Sequence, residues 1–270
     1  MLIGISGKIG SGKDTIGKII QYLVWKSRVE KGELPLSVYS FSDFARETSF
    51  GKNQSNFEIK KYADKLKDFV CMLIGCTREQ LEDREFKEKE LGEEWYCYIF
   101  NNGKKEELTL DFETARILSC DNRVISRTMT PRELLQIIGT ECIRDKVHPN
   151  AWVNALFADY KYEIHRSEVP TRAAGFIDQH VYPNWIITDM RFPNELEAIK
   201  SRGGISIRVN RPYTTVVGGN GIPATFNQNQ FHPSETALDN AEFDYTIENN
   251  SSIEDLVHTV SLILKREKII

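Results

Sequence analysis

The stretch Gly7-Lys8-Ile9-Gly10-Ser11-Gly12-Lys13-Asp14-Thr15 decides how the rest of the chain is read. It follows the apolar run Met1-Leu2-Ile3-Gly4-Ile5-Ser6 and precedes Ile16, Ile19, Ile20, Leu23 and Val24 at helical spacing. Its glycines let successive backbone N–H groups turn inward around a polyphosphate, and the helix behind adds the positive end of its dipole. Lys13 is placed to reach the β- and γ-phosphates. One residue departs from the usual pattern: Asp14 stands where a hydroxyl normally ligates Mg²⁺. A carboxylate serves there too, directly or through a water, because Mg²⁺ prefers hard oxygen ligands. The opposing reading is a glycine-rich turn that binds nothing. The strand before, the helix after and the lysine in place argue against it.

Bulk properties set the frame. A chain of 270 residues can bury a full core, and a single elaborated domain is expected rather than two. With 35 basic against 39 acidic residues, the net charge of −4 gives no global field to hold a polynucleotide. The five cysteines (Cys71, Cys76, Cys97, Cys120, Cys142) are scattered without a C-x2-C pair, which reads as reduced thiols. No signal-peptide pattern opens the chain and no apolar run is long enough to span a bilayer. A cytosolic protein without a membrane partner is expected.

Alternation of strands and helices organises the chain. After the strand at Leu2–Ser6 and the helix from Lys13, residues 30–56 read as an exposed excursion with one weak strand-like stretch, Ser37–Phe41. A second strand is expected at Phe57–Ala63. It feeds a helix with Leu66, Phe69, Val70, Leu73 and Ile74 on one face, stopped by Gly75. Residues 77–92 form a dense charge run, the usual signature of a solvated helix face. Glu94–Phe100 and Glu107–Phe112 flank Asn101-Asn102-Gly103, a hairpin signal. Thr130-Pro131-Arg132-Glu133 has the composition of a capped helix start, and another helix follows from about Pro149. Further on come a strand at Trp185–Asp189, a helix at Pro193–Arg202 and a strand at Ile205–Val209. A long Gly/Asn/Gln-rich loop at Tyr213–Pro233 leads to a strand at Asp244–Glu248 and a terminal helix capped by Ser251 with Glu254. This order implies a parallel sheet covered on both faces.

Asp189 ends an apolar strand downstream of the phosphate loop, where a second acid can hold Mg²⁺ or its water shell. The alternative is an Asp that only caps the following helix. Ligands in such sheets bind outside the carboxyl ends of the strands, which favours the first reading. Arg191 lies near the same strand end and can clamp a phosphate bidentately, with Glu195 one turn further on to hold its guanidinium. Lys67, Arg84, Arg132, Arg144, Arg208 and Arg211 each read alone as solvated charges; as a set they supply what phosphoryl transfer demands. No convincing general base appears, although Asp64 or Asp189 could serve. A phosphate monoester acceptor needs none, since its second pKa of about 6 already leaves it anionic. The histidines (His148, His165, His180, His232, His258) are well separated and default to turn, cap or surface roles. Trp152 and Tyr62 are more often core than base-stacking platforms.

At this point the chain resembles the bacteriophage-type deoxynucleoside monophosphate kinases, a branch of the P-loop nucleoside monophosphate kinases. The resemblance is carried by Gly7–Thr15 with its Gly-Lys-Asp-Thr ending, Tyr62-Ala63-Asp64-Lys65-Leu66-Lys67, Thr130–Thr140 with Trp152-Val153, Asp189–Glu195, Arg208–Pro212, His232–Glu235 and Ile247–Asn250. These segments cover roughly half the chain. The resemblance implies an α/β fold: a P-loop NTPase three-layer sandwich with a parallel five-stranded sheet and an inserted, mostly helical substrate-binding region at 64–165, carrying the hairpin near 94–112. It implies ATP- and Mg²⁺-dependent transfer of the γ-phosphoryl group to a deoxynucleoside 5′-monophosphate. Gly7, Gly10, Ser11, Gly12, Lys13, Asp14, Thr15 and Asn249 would hold ATP, and Asp14 and Asp189 the Mg²⁺. Lys13, Arg132 and Arg191 would be catalytic. Tyr62, Ala63, Asp64, Lys67, Arg84, Gln136, Gly139, Thr140, Trp152 and Glu195 would bind the acceptor together with Arg132, Asp189 and Arg191. A homodimer would fit the family, as would the host cytoplasm if the chain is phage-encoded. The inserts at 30–56, 93–128 and 166–183 have no aligned counterpart.

Three other readings share the loop: a P-loop kinase for another small acceptor such as dephospho-coenzyme A, a DNA-associated P-loop ATPase, and a nucleotide-binding protein without chemistry. The acidic balance opposes the second, and the presence of Lys13, Asp189 and Arg191 the third.

Overall fold

The computed structural model describes residues 1–35, 40–46, 55–102, 105–119, 124–166, 178–211 and 236–270. Its strands are β1 (Leu2–Gly7), β2 (Phe57–Lys60), β3 (Tyr96–Asn102), β4 (Lys105–Thr109), β5 (Val124–Thr128), β6 (Glu163–Arg166), β7 (Asp178–Val181), β8 (Asn184–Met190), β9 (Ile205–Asn210) and β10 (Tyr245–Glu248). The chain divides into two units, Met1–Tyr62 with Val153–Ile270, and Ala63–Trp152.

The first unit is built on a five-stranded parallel sheet in the order β10-β9-β1-β8-β2. Both faces are buried at its centre, so β1 and β8 are apolar along most of their length, whereas the edge strands β2 (Phe57-Glu58-Ile59-Lys60) and β10 (Tyr245-Thr246-Ile247-Glu248) alternate. Ile3, Ile5, Ile186, Ile207 and Val209 face the helices Lys13–Glu30 and Ile253–Arg266, packing against Ile16, Ile20, Val260 and Leu264. Leu2, Trp185, Ile187 and Met190 face the other way, onto Leu196 and Ile199 of the helix Pro193–Lys200 and onto Val153 and Leu156. Three layers result, in an α/β P-loop arrangement. The pairing of β1 with β8 slips between Gly4 and Ser6, which oppose Ile187 and Met190. This bulge inserts an extra residue into β8 beside the sheet's carboxyl edge.

The excursion after the first helix holds a short helix, Phe41–Arg46, whose Phe44 is buried against Tyr22 and Trp25 with ring centroids 5.5 and 5.8 Å away. Phe41 therefore opens a helix instead of closing a strand; residues 36–39 lie outside the described set. Strand β2 stops at Lys60, short of the expected Ala63, because the Tyr62 amide is captured by Asp189 and the chain turns there. The terminal helix is capped one residue later than expected. Ser252 Oγ accepts the Asp255 amide at 3.1 Å, and Asp255 returns the contact to the Ser252 amide at 3.3 Å. Ser251/Glu254 and Ser252/Asp255 have the same spacing, so the pattern could not separate them. The loop expected at Tyr213–Pro233 lies outside the described residues.

The second unit carries the helix Asp64–Ile74, a three-stranded antiparallel sheet in the order β4-β3-β5, and the helix Pro131–Gln136. The β3–β4 hairpin falls where it is expected, although Asn101 and Asn102 pair with Glu106 and Lys105 inside the ladder; the third strand, β5, was not expected. The charge run folds as two short helices, Arg78–Glu82 and Arg84–Glu88, started by Thr77 and Asp83. It is not merely a solvated face, since Leu81 is fully buried with Val70, Cys97, Met129 and Leu134. Thr130 caps its helix as its sequence predicts, with Thr130 and Glu133 bonding each other's amides and Pro131 at the first turn. From Ile137 to Val147 the chain winds more widely as a π-helix. Cys71, Cys76, Cys97 and Cys142 are free thiols. No helix among the described residues is long and apolar enough to cross a membrane.

Candidate active site

The phosphate loop leaves β1 at Gly7 and enters the helix at Lys13. Gly10 and Gly12 have φ of 75° and 98°, the left-handed region that L side chains resist. At Gly12 the space is closed as well, because a Cβ would come within 2.5 Å of Asn249 Nδ2. The Lys13 ammonium curls over the loop and donates to the carbonyls of Gly7 at 2.6 Å and Lys8 at 2.8 Å. Ser11 is buried, and its carbonyl accepts Asn249 Nδ2 at 2.8 Å. Asn249 is itself anchored by its amide to the Asn210 carbonyl at 2.7 Å. Asn249, which the resemblance has holding ATP, thus braces the loop itself from the end of β10. Thr15 is half-buried in the first turn.

Asp14 follows Lys13 and is exposed at the head of the helix. Its Oδ1 accepts the Thr188 hydroxyl at 2.6 Å and pairs with the Lys61 ammonium at 3.0 Å. Burial alone would raise this carboxyl, but the Thr188 hydrogen bond and the Lys61 charge outweigh it and hold its pKa below the usual carboxylate value. Neither partner was expected from sequence. Lys61 is lost in a lysine-rich run, and Thr188 is the neighbour of the acid that drew attention.

Asp189 sits at the β8 bulge, and its Oδ1 accepts the Tyr62 amide at 2.8 Å. Tyr62 is 3% exposed, and its hydroxyl donates to the Glu195 carbonyl at 3.0 Å. Burial and the nearby Glu195 and Asp189 charges push its pKa far up, so it stays a neutral donor. Its ring packs edge-on to Phe157, so Tyr62 is a core residue of this unit. Glu195, 3% exposed, accepts the amides of Arg191 at 2.7 Å and Phe192 at 3.1 Å, fixing the backbone of the Asp189–Glu195 turn. Arg191 is therefore presented from a rigid turn at the carboxyl edge of the sheet.

In the second unit Ala63 caps the helix that carries Asp64 and Lys67. Asp64 pairs with Arg78 at 3.0 Å, and Lys67 bonds both oxygens of Glu82 at 2.7 and 2.9 Å. Arg132 pairs with Glu88, and Arg84 is exposed. Lys87, which sequence reading passed over, belongs with these cations. Burial first, then the charges of Lys67 and Arg132, lower its pKa against the opposing pull of Glu82 and Asp83. A cavity of about 460 Å³ is lined by Glu133, Gln136, Ile137 and Glu141 from the helical stretch and by Ile99, Glu106, Glu107, Leu108 and Arg127 from the three-stranded sheet. Gly139 lies against Leu66, 2.7 Å from where a Cβ would sit. Its carbonyl accepts Trp152 Nε1 at 2.7 Å, and Thr140 follows it half-buried. Gly139 and Trp152 thus support the wide helix, while Gln136 is exposed.

The sequence profile of the deoxynucleotide monophosphate kinase family matches residues 84–260. The chain belongs to that family. Two relatives are named in the same terms. A putative deoxynucleotide monophosphate kinase of Acanthamoeba polyphaga mimivirus is 28% identical over 127 residues, an alignment covering 47% of this chain and 56% of that protein. The deoxynucleoside-5′-monophosphate kinase of Escherichia phage T5 is 24% identical over 263 residues, covering 88% of this chain and 85% of the relative. Within this family member, the matched stretch holds Arg84, Arg132, Gln136, Asp189, Arg191 and Asn249; the phosphate loop precedes it.

Proposed function

We propose that this protein transfers the γ-phosphoryl group of ATP, with Mg²⁺, to the 5′-phosphate of a deoxynucleoside monophosphate, giving the diphosphate. The observation that supports this most is the phosphate loop. Two left-handed glycines, a lysine folded over the loop carbonyls and an 18-residue helix stand at the carboxyl edge of a parallel sheet. Family membership narrows the acceptor to a deoxynucleotide.

In this reading the amides of the 7–15 loop hold the triphosphate, and Lys13 exchanges its two carbonyl contacts for phosphate oxygens. Among the described residues no group of three acids, histidines or cysteines could cage a metal. Mg²⁺ is commonly held by one or two carboxylates together with substrate phosphates and waters. Asp14 and Asp189 would be those carboxylates. When bound, Mg²⁺ neutralises charge developing on the β- and γ-oxygens. Arg191, Lys67 and Arg132 are the cations offered to the acceptor phosphate, Lys67 and Arg132 leaving Glu82 and Glu88 as a phosphate replaces the carboxylates. Gln136 and Thr140 would meet the nucleoside, held in place by Gly139 and Trp152. No side chain has to remove a proton, because the acceptor phosphate is already an anion near pH 7.

The test is ATP consumption across a panel of deoxynucleoside and ribonucleoside monophosphates, with Mg²⁺ or with EDTA. Consumption should appear only with a deoxynucleoside monophosphate and Mg²⁺. No turnover with any member of the panel overturns the assignment.

A further inference from the structure

The contact that explains the odd residue of the loop is the one between Asp14 and Lys61. A carboxylate among the groups that face a polyphosphate is electrostatically adverse, since like charges within a few ångströms repel. Before any Mg²⁺ binds, that charge is answered in this fold by the Lys61 ammonium, 3.0 Å from Asp14 Oδ1, on the same oxygen that accepts the Thr188 hydroxyl at 2.6 Å. Lys61 is not an opportunistic surface partner. It occupies the first position after β2, and the next residue, Tyr62, is buried with its amide fixed to Asp189 and its hydroxyl to the Glu195 carbonyl. The Lys61 side chain is only 28% exposed. Its backbone is therefore rigidly held, and its ammonium is brought to the residue following Lys13 at the positive end of the helix.

We propose that Lys61 is a second lysine of the phosphate site, recruited by Asp14 and aimed at the phosphoryl group in transfer. Asp14 and Thr188 act as its positioning residues. A hydroxyl at position 14 could accept a hydrogen bond from a lysine but could not balance its charge, so the Gly-Lys-Asp-Thr ending exchanges a neutral group for an ion-paired cation. Such a cation acts where negative charge spreads over the equatorial oxygens of the phosphoryl group. This rests on the phosphoryl-transfer reading above.

The experiment compares wild type, Lys61→Met, Lys61→Arg, Asp14→Asn and the Asp14→Asn/Lys61→Met double variant. In steady-state kinetics with the accepted monophosphate, Lys61→Met should lower kcat by about 30-fold or more, within the range for loss of one transition-state donor. Its KM for ATP should change less than about threefold, and Lys61→Arg should recover part of kcat. The double variant should be little slower than the worse single variant, because the pair works as one unit. Calorimetry supplies a reading that needs no turnover. With Mg²⁺ present, ADP plus aluminium fluoride, a mimic of the transferring phosphoryl group, should bind wild type more tightly than ADP alone, and Lys61→Met should lose most of that gain. Equal kcat, or an undiminished fluoride gain, in a folded Lys61→Met overturns the proposal, as does wild type showing no fluoride gain. If the gain depends on Lys61 but no monophosphate is turned over, the acceptor assignment fails while the role of Lys61 stands.

Discussion

The Thr188 hydroxyl donates to Asp14 Oδ1 at 2.6 Å, joining the carboxyl end of one strand to the first turn of the helix behind the phosphate loop across 174 residues of chain. Thr188 is 1% exposed. Thr188→Val keeps the shape of the side chain and removes the donor. Asp14 is exposed and can turn to water, so stability should fall by only about 1 kcal/mol. Turnover should fall by about tenfold as the carboxylate loses its fixed orientation. Thermal melts and steady-state kinetics on the same preparation check both; unchanged kcat would leave the bond a purely structural one.

Lys13→Ala removes an ammonium that donates to two loop carbonyls and whose proposed partner is phosphate. The core does not depend on it, and circular dichroism should be unchanged. Phosphoryl transfer should drop by at least about 10²- to 10³-fold, the scale for losing one preorganised donor. A variant with near wild-type turnover would remove the loop from the mechanism.

Gly139→Ala tests the second unit. The new methyl would sit 2.7 Å from Leu66 Cδ2, so the Leu66 side chain must leave its rotamer or one of the two helices must shift. A cost of about 1–3 kcal/mol is expected. The carbonyl of residue 139 also anchors Trp152, so intrinsic tryptophan fluorescence should report the change. Wild-type stability and an unaltered spectrum would show that the two helices have room.

Asp244 predicts a pH dependence. Its Oδ2 accepts the Ser206 amide at 2.8 Å and hydroxyl at 2.6 Å, stapling the entry of β10 to β9. Burial would raise this carboxyl, but the Ser206 hydrogen bonds outweigh it and its folded pKa lies below the ordinary value. A depressed carboxyl stabilises the fold above its unfolded pKa and loses that contribution as pH falls through the folded pKa. Asp244→Asn should therefore be less stable than wild type by about 1–2 kcal/mol near neutrality. The gap should narrow below about pH 4, near the unfolded value for Asp. Urea titrations from pH 7 to pH 3 measure it; a gap independent of pH would rule out the charged form as the source.

Legibility divides along a physical line. The strand, loop and helix around Gly7–Thr15, the Thr130/Glu133 cap and the β3–β4 hairpin were readable because each is written in residues a few positions apart. Period, cap spacing and turn chemistry act at that range. Even locally the code is degenerate where two patterns overlap, which is why the terminal helix begins at Ser252 and Asp255 and not one residue earlier.

By itself, then, the sequence determined the parallel α/β fold and the glycine-rich loop between β1 and the first helix. It also marked Asp14 as unusual. Only the tertiary structure decided which groups meet Asp14. The order β10-β9-β1-β8-β2 places the ends of β2 and β8 next to the loop, and so brings Lys61 and Thr188 to one carboxylate oxygen. The bulge in β8 turns Asp189 to the Tyr62 amide, and the end of β10 delivers Asn249 beneath Ser11. No periodicity encodes these meetings, because a side chain's partner across a sheet depends on strand order and register, which the whole core settles together.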